Sequence, residues 1–127
     1  MVASRQWIPT ATWVTSEMGD VDLMEIAKAM SEKDLQRSVM AMAMSYGWLH
    51  YSIPDSRWAT SRGYPDLTMA QKGRIMFVEL KTMKGRLSEH QERWLLALES
   101  IETNEVHVWR PSDLLDGTIE RYLSNDR

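Results

Sequence analysis

The sequence predicts an α/β fold whose elements follow the order α-β-β-β-α-β-α. Apolar residues recur at helical spacing in a stretch that begins at residue 31. Between residues 48 and 81, apolar and polar residues alternate over short stretches, as they do in half-buried strands. After residue 88 a helical pattern, a strand pattern and another helical pattern follow. A chain of 127 residues is long enough for one domain with its own core.

The first half of this order consists of a helix and three strands. Ser31, followed by Asp34 at the third position, predicts a capped helix start, and Gly47 predicts its end. The predicted buried face of this helix comprises Leu35, Val39, Met42, Ala43 and Tyr46. Strands are predicted over residues 48–53, 67–70 and 74–81, with a polar loop over residues 54–63 and a hairpin turn at residues 71–73.

The second half begins with Ser88, which is the expected cap of the next helix. The apolar face of that helix is expected to comprise Gln91, Trp94, Leu95, Leu98 and Ile101. A strand is predicted over residues 105–109, and a last helix over residues 111–123 with Pro111 in its first turn. A further short helix is predicted over residues 20–30, ahead of the main pattern.

Composition excludes several classes of protein. The chain has no cysteine, which excludes disulfides, thiolate zinc sites and cysteine nucleophiles and fits a cytoplasmic protein. The three histidines are not spaced as zinc ligands. No apolar run approaches the roughly 18 residues of a membrane span, and no signal-peptide pattern opens the chain. We therefore expect no membrane association.

Positive charge is concentrated in the middle of the chain. The net charge is −3, yet residues 57–93 contain 8 Lys or Arg against 4 Asp or Glu, while both flanking segments are acidic. This distribution suits a ligand with a phosphate backbone that approaches one face. An ordinary solvated surface explains the charge pattern equally well.

Asp66, Glu79 and Lys81 are the candidate chemical groups. Glu79 and Lys81 are two positions apart in a predicted strand, so their side chains share one face. Glu79 follows apolar residues, and a buried carboxylate is costly unless it is paired or binds metal. Carboxylates suit a hard cation, and a lysine beside them can orient a water or a phosphate. The alternatives are a turn residue for Asp66 and a salt bridge for Lys81.

These residues occur within a longer series of motifs. The pair Pro65-Asp66 with Glu79-Leu80-Lys81 resembles the signature of the PD-(D/E)xK nuclease superfamily. Six blocks together resemble its VRR-NUC branch: Ser31-Glu-Lys-Asp-Leu-Gln36, Gly47-Trp48, Ser61-Arg-Gly-Tyr-Pro-Asp-Leu67, Val78-Glu-Leu-Lys81, Leu87-Ser-Glu-His-Gln91 and Val108-Trp-Arg-Pro-Ser-Asp113. The resemblance covers about residues 31–123 and implies a restriction-endonuclease-like core, in which helices flank a mixed central sheet. Residues 1–30 are then an N-terminal extension and residues 31–127 the nuclease domain.

The resemblance also implies a site and a reaction. Asp66 and Glu79 would bind Mg²⁺ or Mn²⁺, the main-chain carbonyl of Leu80 would complete the inner sphere, and Glu32 matches an acidic position for a second metal. Lys81 would act on the attacking water, and Gln91 matches a glutamine that faces the metal in related nucleases. For Gln91 a capping-box role is equally open, and for Glu32 so is a favourable interaction with the helix dipole.

DNA contacts are predicted for basic residues around this site. We expect Arg57, Arg62, Lys84 and Arg86 to bind the phosphate backbone and Trp58 to contact bases. Relatives of this small type act on branched DNA such as Holliday junctions and are dimers, which implies a homodimer inside a bacterial cell or phage-infected host. The alternatives are a nuclease for linear duplex DNA, whether sequence-specific or for repair, and a non-catalytic DNA-binding or assembly module.

Overall fold

A four-stranded mixed sheet forms the centre of the protein. The computed structural model describes residues 20–54, 57 and 59–124. In this part of the chain the sheet has the order β1-β2-β3-β4. β2 runs antiparallel to both β1 and β3, and β4 runs parallel to β3. The strands are β1 (Leu49–Tyr51), β2 (Leu67–Gln71), β3 (Arg74–Leu80) and β4 (Asn104–Trp109).

Helices flank this sheet as the sequence predicts. They are α1 (Asp20–Ala29), α2 (Glu32–Ser45), α3 (Glu89–Glu99), α4 (Pro111–Leu115) and α5 (Thr118–Leu123). α1 packs against α4, although the sequence assigns it to the N-terminal extension. The domain boundary after residue 30 stays a prediction, and residues 1–19 lie outside the described residues. No helix in the described part of the chain is long and apolar enough to cross a membrane.

The hairpin β2–β3 closes through a two-residue turn. Lys72 has a φ of 46° and Gly73 a φ of 79°. Two positive φ values give a turn whose twist matches that of the strands. The turn sets the register in which Leu67 lies opposite Val78. The predicted hairpin is thereby confirmed, and its open end carries the candidate site.

The two faces of the sheet have different partners. Alternate residues of β3, namely Met76, Val78 and Leu80, join the main core with residues of α2 and α5. Phe77 and Glu79 point to the opposite face. On that face α3 approaches, because Tyr64 packs edge-on against both Phe77 and Trp94.

Local sequence signals fix the helix starts. Ser31 and Ser88 each cap a helix in a complete capping box, with Asp34 and Gln91 as the reciprocal partners. The five residues predicted for the buried face of α2 are all buried. For α3 the predicted face is partly wrong, since Ile101 is 52% exposed beyond the end of the helix and Trp94 is only half-buried.

Two predicted boundaries are also wrong. The first strand is limited to Leu49–Tyr51, because the main-chain amide of Trp48 instead donates to the carbonyl of Ala43 at 3.0 Å and Pro54 cannot donate to a strand partner. The last helix divides at Gly117, whose φ of 86° is left-handed. Its second part, α5, then begins at Thr118, whose amide binds the Asp116 carboxylate.

Candidate active site

Asp66 and Glu79 face each other at the open end of the β2–β3 hairpin. Leu67 pairs with Val78, so the next step of this register places Asp66 across from Glu79. Paired residues of an antiparallel ladder project to the same face. Both carboxylates therefore lie on the face that α3 covers. The sequence separates them by a hairpin, and the hairpin brings them together.

Asp66 is held by the backbone of the neighbouring strand. Its Oδ2 accepts a hydrogen bond of 2.8 Å from the amide of Leu80. Pro65 before it is buried, which anchors the chain at the entrance to β2. The contact joins residues 14 positions apart, so it is not the local hydrogen bond of a turn residue. The carboxylate is thereby fixed beside the end of β3.

Glu79 is the most deeply buried charged side chain of the described residues, at 1% exposure. Burial, the charge of Asp66, the hydrogen bond that it shares with Asp66, and the charge of Glu32 raise its pKa to about 8, while Lys81 opposes the shift. A hydrogen bond between two carboxyl groups requires a proton on one of them. At neutral pH the pair therefore shares one proton, as like charges at close range cannot both ionise.

Gln91 completes the cap of α3 and also contacts Glu79. Its Oε1 accepts the amide of Ser88 at 2.8 Å and completes the capping box. Its Nε2 donates to Glu79 Oε2 at 2.8 Å. The cap and the carboxylate contact use opposite ends of one amide, so neither excludes the other. The start of α3 is thus tied directly to the buried carboxylate.

Lys81 lies directly beyond the end of β3. Its Nζ is 3.9 Å from Glu79 Oε2, and its side chain is 10% exposed. Its amide donates to the carbonyl of Trp109 at 3.0 Å, which continues the pairing with β4. The predicted shared face of Glu79 and Lys81 is confirmed. The ammonium is therefore a fixed positive charge beside the carboxylate pair.

Glu32 and Leu80, the other predicted metal ligands, do not extend their side chains to the carboxylate pair in the way that Lys81 and Gln91 do. Glu32 lies in the first turn of α2, where its side chain is exposed, and its charge is close enough to influence the pKa of Glu79. The Leu80 side chain is in the core and its amide binds Asp66. No group of three His, Cys, Asp or Glu side chains among the described residues is arranged to hold a metal. A metal on the carboxylate pair would need main-chain or water oxygens as well.

The carboxylate pair itself fits a hard divalent cation. Its donor atoms are all oxygens, which Mg²⁺ and Mn²⁺ prefer. Two carboxyl groups that are forced to share a proton create a position where a cation can replace that proton. The positive charge of Lys81 alone does not offset the repulsion between the two carboxylates, since the pKa of Glu79 stays raised in its presence. The metal ligands nevertheless remain a prediction.

Four of the predicted DNA-binding residues lie either between β1 and β2 or between β3 and α3. The side chains of Arg57, Arg62, Lys84 and Arg86 are exposed, and Trp58 lies outside the described residues. The loop with Lys84 and Arg86 is held by Arg110, whose Nη1 donates to the carbonyls of Thr82 and Gly85 at 2.6 and 2.7 Å. This clamp was not predicted. The sequence offered only an arginine directly after β4 as a signal for it.

Comparisons with known proteins agree with this geometry. A family model described as the VRR-NUC domain matches residues 12–109. A solved structure described as a VRR_NUC domain has a TM-score of 0.59 and 25% sequence identity, and the match covers 74% of this chain and 99% of that chain. No match was found among curated proteins.

Proposed function

Because the chain belongs to the VRR-NUC domain family, a nuclease-type family of the PD-(D/E)xK superfamily, we propose that it is a metal-dependent endonuclease that hydrolyses phosphodiester bonds in DNA. The observation that carries the proposal is the carboxylate pair formed by half-buried Asp66 and buried Glu79. A proton shared at the ends of the two central strands, beside a buried lysine, has no evident structural benefit. The same arrangement is well suited to bind a cation that acts on phosphate.

Asp66 and Glu79 would bind Mg²⁺ or Mn²⁺ through their carboxylate oxygens. The carbonyl of Leu80 is proposed as a further donor, and Glu32 as an acidic group for a second ion. When bound, such an ion polarises a phosphoryl oxygen and lowers the pKa of a bound water. Gln91 fixes the orientation of the Glu79 carboxylate through the 2.8 Å hydrogen bond from its Nε2.

Lys81 would act on the attacking water or on the phosphate. Its ammonium is nearly buried, so its charge is screened less than a surface charge. A fixed cation of this kind stabilises the negative charge that develops on the phosphoryl oxygens in the transition state. Arg57, Arg62, Lys84 and Arg86 would bind the DNA backbone without reading sequence.

For the substrate, we propose branched DNA such as a four-way junction, cut by a homodimer with two symmetric active sites. The described surface offers one feature that a second copy could cover. Leu49 is 79% exposed and Tyr51 63% exposed on β1, which lies at an edge of the described sheet. Sedimentation equilibrium at micromolar concentration tests the dimer, and a mass of one chain with and without junction DNA would refute it.

Cleavage of labelled DNA tests the function itself. The panel comprises linear duplex, flap, fork and four-way DNA, each with Mg²⁺, Mn²⁺ or a chelator. We expect cleavage only with a divalent ion, and a loss of at least about a hundredfold in rate for Glu79→Ala and Asp66→Ala. Lys81→Ala should cut slowly but still bind metal.

The matched control for Glu79→Ala is Glu120→Ala. Glu120 is also a buried glutamate, but it binds the hydroxyl of Tyr46 among core residues on the opposite face of the sheet. Glu120→Ala should keep the cleavage rate of the wild-type protein if it folds, as circular dichroism would report. A folded Glu79→Ala variant that cuts at the wild-type rate would exclude Glu79 from the reaction.

A further inference from the structure

A basic cavity lies between the loop before Asp66 and one side of α3. It is open to solvent and has a volume of about 290 Å³, close to the lower end of the range of small-molecule sites. The residues that line it are Ser61, Arg62, His90, Arg93, Trp94 and Ala97. The roles assigned so far account for none of these side chains except that of Arg62. The cavity is therefore distinct from the carboxylate pair.

The helical spacing of α3 gives this cavity its charge. Residues 90, 93, 94 and 97 follow the spacing of one helix face. Gln91, Leu95 and Leu98 form the next stripe, which is turned toward the sheet. Glu92 and Glu99 form a third stripe, and Glu89 precedes Arg93 by four positions but does not line the cavity. Two arginines and a histidine therefore meet at the cavity without an acidic residue in its lining.

The cations of the cavity have no partner in the described part of the protein. Arg62 and Arg93 are exposed, and neither forms an ion pair with another described residue. By contrast, Arg74 is bound at 2.7 Å by Glu105, and Arg110 is bound by two carbonyls. Two guanidinium groups that converge without a carboxylate are suited to bind a phosphate.

Trp94 gives the cavity an aromatic wall. Its indole Nε1 donates to the hydroxyl of Ser61 at 3.2 Å, and its ring lies 5.0 Å from that of Tyr64 in an edge-to-face arrangement. These contacts hold the ring in one orientation, and the side chain remains half-buried. A fixed, partly exposed indole is a stacking surface for a base.

Gly63 joins the cavity to the candidate active site. A Cβ on Gly63 would lie 2.4 Å from the carbonyl carbon of His90 and 2.6 Å from the amide nitrogen of Gln91. The loop is thus in direct contact with the residue that binds Glu79. Arg62 precedes Asp66 by four positions, a span of at most about 14 Å. One DNA strand could occupy both places.

We propose that this cavity binds one unpaired nucleotide of the DNA strand that is cut. The proposal deepens the nuclease function above and rests on it. The phosphate binds between Arg62 and Arg93, and the base stacks on Trp94. A base in a duplex cannot reach such a pocket without leaving its stack, which costs least when the base is already unpaired. Among branched DNA substrates, the preferred form is therefore one with an unpaired nucleotide next to the cut, such as a flap, rather than a fully paired four-way junction, and its sequence is not read.

Binding without cleavage tests this proposal on the full chain. Fluorescence anisotropy in the presence of chelator compares a fully paired duplex with duplexes of equal length that carry a one-nucleotide bulge or a short flap. The wild-type protein should bind the unpaired forms at least about fivefold more tightly, which is the lower limit for one base on an aromatic ring. Arg62→Ala combined with Arg93→Ala should reduce that preference to about one.

Two further variants separate the parts of the cavity. Arg121→Ala is the control for a change from arginine to alanine, because it removes one positive charge from an exposed position on α5, across the sheet from α3. It should keep the preference. The Trp94→Leu variant should lose the preference for a bulged nucleotide. Its affinity for a normal bulge should equal the affinity of the wild-type protein for a bulge that lacks its base. If Trp94→Leu fails to fold, the arginine variants and the abasic bulge decide the matter.

Equal binding of paired and unpaired DNA by the wild-type protein would overturn the proposal. So would an arginine double variant that loses affinity equally for both kinds of DNA, since that is the behaviour of a general backbone contact. Cleavage in Mg²⁺ or Mn²⁺ is measured separately. A protein that cuts DNA but shows no preference refutes the cavity alone, whereas a preference without any cleavage refutes the nuclease function alone.

Discussion

Binding of a divalent cation to Asp66 and Glu79 should expel a proton at neutral pH. The pKa of Glu79 is raised to about 8, so at pH 7 about nine of ten molecules carry a proton on the pair. A metal binds the deprotonated carboxylate. We therefore expect about 0.9 proton released per ion at pH 7 and about 0.1 at pH 9. The apparent affinity should rise about tenfold per pH unit below pH 8 and level off above it.

Isothermal titration calorimetry measures this number directly. Mg²⁺ or Mn²⁺ is titrated in buffers of different ionisation enthalpy, and the slope of observed heat against that enthalpy counts the protons. Glu79→Gln should bind the ion more weakly and release no proton. Glu120→Gln is the control, because burial also raises the pKa of Glu120, on the opposite face. It should leave the proton count unchanged.

Two results would refute this reasoning. The first is tight binding at pH 7 without proton release, which would mean that the ion does not replace the shared proton. The second is an unchanged proton count in Glu79→Gln, which would place the proton on another group. A count that falls in Glu120→Gln would likewise move the metal away from the hairpin end.

Three further predictions concern stability. Because the pKa of Glu79 is raised in the folded state, protonation of Glu79 favours the folded protein. This contribution to the free energy of unfolding is fully present below about pH 4.5 and is lost as the pH rises through about 8. The melting temperature of metal-free protein should therefore fall between pH 5 and 9, and less steeply in Glu79→Gln. In urea unfolding, Gln91→Leu should lower the free energy of unfolding by about 2 kcal/mol and Ser88→Ala by about 1 kcal/mol. Ser88→Ala removes only the helix cap, whereas Gln91→Leu also removes the hydrogen bond to Glu79. Equal losses would mean that the hydrogen bond to Glu79 does not contribute to stability. Gly63→Ala should lower the free energy of unfolding by at least about 2 kcal/mol, because the new Cβ would clash with the main chain of α3. Gly73→Ala should lower it by about 1 kcal/mol, since Gly73 also has a positive φ but has open space around it. Equal losses would mean that the close approach of Gly63 to α3 is unimportant for stability.

The sequence predicted those features whose causes are local. Capping boxes, the hairpin turn and the buried face of α2 each depend on residues within a few positions of one another, and all three are confirmed. The family resemblance is confirmed as well. By register alone, the turn at Lys72 and Gly73 also places Asp66 opposite Glu79.

Other features depend on packing between distant segments and could not be predicted. For Gln91, the sequence left a cap and a site residue as alternatives, because the choice depends on how α3 lies on the sheet. The half-buried state of Trp94 has the same origin, as its partners Ser61 and Tyr64 come from a distant loop. The break at Gly117 was local and was missed, although Asp116-Gly117 is a common turn pair.

Asp66 and Glu79 belong to a single hairpin, so the contact between them does not depend on the pairing of more distant segments. Contacts close in sequence form at small loop-closure cost, whereas the parallel pairing of β3 with β4 requires the chain to pass through α3 first. We therefore expect the hairpin to form early and to bring Asp66 and Glu79 together before β4 pairs with β3. In that order of events, Glu79 becomes buried and retains its proton only once α3 packs on the sheet and Gln91 reaches Glu79. A divalent ion present during folding could thus bind the nascent hairpin before burial and bypass the step in which two carboxylates must share a proton.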